Sequence, residues 1–145
     1  MPHPYEREHA VAYAERTFGT PIDQEWPRWG IDIDGRWCGN VGLRMDGEGL
    51  ADIGYLVAPW ARRRGAGSVA VWLACDWAFR EGGCRVVTWH AVAGNEASRA
   101  LVAKVGFRVH RDVRRLAVVQ RGGRVDVWTA DLLPEDLVPL TDLLR

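Results

Sequence analysis

The chain has almost no lysine: among 19 basic residues only Lys104 is a lysine. We read that bias as genome composition rather than chemistry. It also has no charge excess, with 19 basic residues set against 19 acidic ones. A general surface for nucleic acid or for an anionic membrane needs a basic excess, so neither partner is expected. No stretch approaches the ~20 apolar residues that cross a bilayer. Residues 1–9 are polar and contain proline, which is not a signal-peptide pattern, so a cytoplasmic protein is expected. Cysteine is scarce. Cys38, Cys75 and Cys84 are odd in number, far apart and without metal-ligand spacing. They are expected as buried, reduced thiols, with no metal site. Two phosphate-binding patterns are missing as well. There is no Gly-x-x-x-x-Gly-Lys-Ser/Thr, and Gly-x-Gly-x-x-Gly fails because position 70 is Ala70.

What remains is an ordinary globular composition, 48% hydrophobic and 26% charged, over 145 residues. That length suits one domain spanning 1–145 with a real core. Eight tryptophans are many for the size. Trp26, Trp29, Trp37 and Trp128 offer more aromatic surface than one small core needs, which points to a homodimer.

One stretch organises the rest. Apolar residues up to Val57 read as a strand; Pro59-Trp60-Ala61-Arg62-Arg63-Arg64-Gly65-Ala66-Gly67-Ser68 follows, then an apolar-periodic helix. The first amides of a helix have no internal partner and carry the positive end of its dipole. Gly65 and Gly67 remove the side chains that would hold a ligand off those amides. Arg62, Arg63 and Arg64 add charge with fork geometry for phosphate. The stretch is therefore a candidate anion site.

Periodicity places the other elements. A helix is expected over 5–18, closed by Gly19 and Pro21. Trp29 to Ile33 and Arg36 to Leu43 flank Asp34-Gly35, a type I′ hairpin signal. A second turn leads into a strand from Ala51 to Val57, completing an antiparallel meander. Ser68 to Arg80 reads as a helix with Val69, Trp72, Leu73 and Trp77 on one stripe. Arg85 to Val92 is a strand, parallel to the one before the loop because a helix separates them. A helix over 95–105 stops at Gly106. Strands at 107–109, 113–119 and 125–130 and a short tail over 132–144 end the chain. The fold class is α/β or α+β, with a mostly antiparallel mixed sheet and one central parallel pair, in three layers.

Arg62-x-x-Gly65-x-Gly67 after a strand resembles the Gln/Arg-x-x-Gly-x-Gly/Ala signature of the GNAT N-acetyltransferases. Asn95-Glu96-Ala97-Ser98, then Lys104-Val105-Gly106-Phe107, is similar to a segment of the RimJ/RimL-type branch, and Gly54-Tyr55 fits that branch too. The similarity covers roughly 30 to 133. It implies a GNAT-like α/β/α fold, acetyl-CoA as donor and a primary amine, a peptide N-terminus or a small molecule, as acceptor. It also implies an additional strand and helix ahead of residue 5, for which the chain starts too late; the first strand is expected to be missing. Another chain or the N-terminal segment is then expected to cover the exposed sheet edge.

Under the resemblance, the diphosphate sits on Arg62, Arg63, Arg64, Gly65, Ala66, Gly67 and Ser68, and the pantetheine arm pairs with Leu56 and Val57. Gly54 is the expected bulge that opens the sheet. Asn95 contacts the pantetheine or caps its helix. Many relatives place a proton-donating Tyr in that helix; the matching position is Val102, so Ser98, one turn earlier and near the CoA thiol in that branch, is both a cofactor-binding residue and the candidate donor. Asp52 is the candidate base, directly or through water, with Glu96 and Asp126 as weaker alternatives and His90 read as structural. A CoA-binding module without turnover is the other reading.

Overall fold

The computed structural model describes residues 26–145. Seven strands form one sheet: β1 (Arg28–Ile33), β2 (Arg36–Met45), β3 (Leu50–Val57), β4 (Val86–Val92), β5 (Arg108–Val109), β6 (Arg114–Gln120) and β7 (Gly123–Leu132). The spatial order is β1-β2-β3-β4-β7-β5, and β6 continues the β5 side by pairing with β7. Only β3 and β4 run parallel, as expected for strands separated by a helix. That helix is α1 (Ala66–Arg80); α2 (Glu96–Val105) follows β4, and a short α3 (Leu140–Leu143) lies near the C-terminus. The helix expected over 5–18 and the segment expected to cover the β1 edge lie outside the described residues. No helix among the described residues is long and apolar enough to cross a membrane.

Local chemistry accounts for the turns and the layers. Asp34 and Gly35 both take positive φ, 52° and 79°, as the hairpin signal requires. Side chains opposite one another across an antiparallel pair share a face. Val41, Leu43, Ile53, Val87, Trp89, Ala130 and Leu132 thus form the buried face, and α1 and α2 pack on it. The stripe anticipated for α1 is shifted. Val69 of that stripe is buried with Ala70, Val71, Ala74, Cys75 and Ala78, while Trp72, Leu73 and Trp77 flank them half-buried. Small residues bring the helix axis close to the sheet, and the large ones then close the sides. Trp77 meets Trp29 of β1 edge-to-face at 5.3 Å. Trp29 is thereby used inside the chain and Trp128 is half-buried under Arg99; Trp26 and Trp37 are exposed. All three cysteines are buried and unpaired.

The C-terminal segment clasps the two helices. Trp72 Nε1 of α1 donates to the Val138 carbonyl at 2.7 Å, and the Val138 amide donates to Val105 of α2 at 3.1 Å. At Gly106, φ is 122° and a Cβ would collide with the Asp136 carbonyl. Glycine is required there twice over, by backbone conformation and by this contact.

Gly39 of β2 faces a similar limit, because a Cβ there would run into the Leu56 carbonyl of β3. Gly39→Ala must therefore push β2 and β3 apart, and we expect a loss of about 1–3 kcal/mol in chemical denaturation. Gly54→Ala, whose Cβ meets nothing within 4 Å, is the control. A change within about 1 kcal/mol is expected for it.

Candidate functional site

The sheet opens at its centre. β3 and β4 pair from Leu50–Val86 to Ile53–Trp89 and no further. Beyond that rung β3 stays on β2 as far as Val57, and β4 stays on β7 as far as Val92. The two arms diverge into a cleft. Gly54 is not the bulge that opens it, since residues 51–57 pair with β2 in unbroken register. The cleft results from lost pairing between β3 and β4, not from an inserted residue.

Alternation decides which backbone groups face the cleft. The Ala58 amide donates to Cys38 of β2 at 2.6 Å. In an antiparallel ladder every second residue points the same way, so the peptide groups of Leu56 turn to Asn40. Those of Tyr55 and Val57 face the opening. Leu56 therefore offers the cleft no backbone group, contrary to expectation; Tyr55 stands there instead, beside Val57.

The loop at the mouth has the expected form. Pro59–Ala61 makes one 3-10 turn, and Arg62 is extended. Arg63 and Gly65 take positive φ, 65° and 81°, so the chain doubles back before α1 begins. Among the described residues no hydrogen bond is made by the amides of residues 63–68, no side chain caps α1, and its first turn holds no acidic residue. A helix start without a cap presents such amides outward with the positive end of the helix dipole. Ala66 is buried, and a Cβ on Gly67 would press on Leu101 and Val57, so Gly67 is needed for close packing here. The Ser68 hydroxyl turns inward to the Gly65 carbonyl at 3.1 Å. Arg62 is partly committed, its Nε donating to the Val57 carbonyl at 3.1 Å; Arg63 and Arg64 are exposed.

Two polar clusters border the cleft, one on each face of the sheet. On the helix side, Ser98 Oγ lies 2.6 Å from the Tyr55 hydroxyl and accepts from Trp89 Nε1 at 3.2 Å. One serine on α2 thus bridges both arms. Burial pushes the Tyr55 phenol up, against smaller opposing effects of its hydrogen bonds, and keeps it protonated. Val102 is fully buried and takes no part. Asn95 acts as the cap, its Oδ1 accepting from the Ser98 amide at 3.2 Å.

On the opposite face, one rung before the pairing ends, Asp52 Oδ1 accepts from Thr88 Oγ1 at 2.7 Å, and Oδ2 lies 3.3 Å from His90 Nδ1. Burial opposes the Asp52 charge. The hydrogen bonds from His90 and Thr88 and the charges of His90 and Arg44 outweigh it and hold the carboxyl below its usual range. The hydrogen bond to Asp52 raises His90, offset in part by burial and by Arg44 and Arg114. His90, read from sequence as structural, is thus Asp52's partner. The alternatives are used elsewhere: Asp126 accepts from the Leu116 amide at 2.9 Å, and Glu96 is exposed beside Arg99.

The roles of Tyr55, Trp89, Thr88 and His90 escape sequence reading. The only signal is alternation around Asp52 and Ile53, and it becomes useful once the parallel register is known.

The profile of the acetyltransferase (GNAT) domain family matches residues 1–108. No curated protein matches the chain. Among solved structures, a probable acetyltransferase superposes with a TM-score of 0.71 at 26% identity, covering 86% of this chain and 70% of that one. RimJ of Mycobacterium smegmatis, in complex with CoA-disulfide, gives 0.75 at 22% identity, covering 94% of this chain and 64% of that one. A spermidine N-acetyltransferase SpeG mutant from Vibrio cholerae gives 0.68 at 18% identity, covering 82% and 72%. The chain thus spans about two-thirds of the length of these relatives.

The Asp52–His90 pair makes a pH prediction. His90 is raised, so its contribution to stability is whole below about pH 6.5 and is lost as pH rises through the folded value. Asp52 is lowered, so its contribution is present above about pH 3.9 and is lost as pH falls through its own folded value. NMR titration of the His90 imidazole should give a midpoint above the free value, and Asp52→Asn should lower it. An unmoved midpoint in Asp52→Asn would show that the pair is not coupled.

Proposed function

The chain belongs to the GNAT acetyltransferase family, and from that premise we propose that it is an N-acetyltransferase. It moves an acetyl group from acetyl-CoA to a primary amine by direct attack within a ternary complex. The observation that carries this reading is the cleft between β3 and β4, with unpartnered amides at its mouth. We take residues 1–145 as one acetyltransferase domain working in the cytoplasm, where buried free thiols stay reduced.

In this reading, the amides of residues 63–68 with Arg63 and Arg64 hold the diphosphate, and Arg62 spans from Val57 towards it. The pantetheine amides add as a strand beside β3, pairing with the cleft-facing groups of Tyr55. Asn95, having spent its carbonyl on the cap, keeps its amide NH2 to donate. The Val57 N–H, whose own carbonyl is taken by Arg62, stabilises the negative charge that builds on the thioester oxygen.

The two polar clusters divide the proton traffic. Asp52 orients His90, and His90 takes the proton from the acceptor ammonium. The free amine forms the new C–N bond, the C–S bond breaks, and the electron pair leaves on sulfur. Ser98 hands that sulfur a proton and is resupplied by Tyr55. Proximity provides much of the rate, and each proton transfer contributes roughly 10²–10⁴-fold.

The family neighbours act on different amines. SpeG is a spermidine N-acetyltransferase, and RimJ-like relatives resemble this chain at low identity. A peptide N-terminus or a small amine both fit the reaction.

Calorimetric titration should show acetyl-CoA binding lost in Gly65→Glu and kept in Gly65→Ala, which costs about 1–2 kcal/mol of stability for its left-handed backbone. Unchanged binding in Gly65→Glu would refute the loop assignment. Ser98→Ala should lower kcat about 10²-fold without weakening acetyl-CoA binding. An equal loss of binding would make Ser98 a structural residue only.

A further inference from the structure

The acceptor side of the cleft has an order of charge. At the fork stands a carboxylate, Asp52, already paired with His90. Asp131, on the same face of β7, is likewise paired, with His110 Nε2 at 2.8 Å. Further out, β6 is exposed along nearly all its length, and it, the segment leading into it and the turn after it carry Arg111, Arg114, Arg115, Arg121 and Arg124 against Asp112 and Asp126. Among the described residues none of these arginines makes an ion pair; Arg124 donates to the Leu116 carbonyl at 3.2 Å. Arg114 is opposite Val127, which puts it on the His90 face, and its charge is felt at His90 together with that of Arg44 of β2. A protein of zero net charge thus gathers five arginines in and next to one hairpin, with Arg114 on the cleft's His90 face.

Building on the acetyltransferase reading, we propose that the acceptor is the free N-terminus of an acidic peptide, lying across β4, β7 and β6 with its carboxylates over the arginine hairpin. β6 is two strands from β4, about 10 Å away, which an extended peptide covers in roughly three residues. Acidic side chains at about the third to fifth positions therefore reach the arginines when the amine is at His90. β6 has no strand on its outer side among the described residues, so its backbone is open to an extended chain. A polyamine meets the opposite situation: its remote ammonium groups fall on arginine.

The test is competition for a fluorescent peptide on the CoA-loaded protein. The competitors are a decapeptide Ser-Ala-(Glu)4 with a free N-terminus and neutral tail, its (Lys)4 counterpart, its N-acetylated form, spermidine and a single-stranded RNA decamer. At low salt the acidic peptide should bind at least about ten-fold tighter than the lysine peptide and spermidine, and the margin should shrink as salt is raised. The triple change Arg111→Glu, Arg114→Glu, Arg115→Glu should erase the preference, while lysine at the same three positions keeps it. Spermidine or the lysine peptide competing equally, the acetylated peptide binding as well as the free one, or the RNA binding tightest would each overturn the proposal. CoA binding is measured separately by calorimetry. Its absence would strike the acetyltransferase reading, while the peptide preference would still stand or fall by its own result without CoA.

Discussion

Everything at the centre of this molecule depends on where two parallel strands stop pairing. β3 and β4 share four rungs and then part, each still held along its outer side, β3 by β2 and β4 by β7. The opening thus costs only the hydrogen bonds between the two arms. The backbone groups freed on Tyr55 and Val57 must find partners in solvent or in a bound chain. Ser98 spans the gap with bonds to Tyr55 on one arm and Trp89 on the other, which fixes the width of the opening at the helix side. The anion loop, the cleft and both polar clusters take their positions from that single divergence.

The sheet also separates two kinds of chemistry. Side chains alternate along β3 and β4, so Tyr55 and Trp89 reach the helix face while Asp52, Thr88 and His90 reach the other. A phenol kept neutral and an imidazole kept basic are thus held on opposite sides of one opening, by burial in one case and by a carboxylate in the other. In the proposed reaction each cluster serves one of the two proton transfers.

Much of this was legible in the sequence. Asp34-Gly35 marks its turn by the backbone it demands, and Gly65-x-Gly67 marks a helix start free of side chains. The strand–helix–strand order fixes the parallel pair. Other features depend on long-range register, which local pattern does not carry. Asp52 and His90 are 38 positions apart and meet only because Asp52 aligns with Thr88. Tyr55 and Ser98 are separated by 43 positions and meet across the cleft. The expected bulge at Gly54 assumed that a gap needs an extra residue, whereas unequal pairing on the two sides of a strand suffices. Leu56 was misplaced for a related reason: whether a peptide group faces in or out depends on which neighbour its strand keeps.

The clasp formed by Trp72, Val105 and Val138 has a consequence for the order of assembly. It is translated after both helices it joins, so nascent chain emerging from the ribosome holds a sheet and two helices before it holds the latch between them. The two helices thus meet the sheet first, and the bond that ties one to the other is the last to be made.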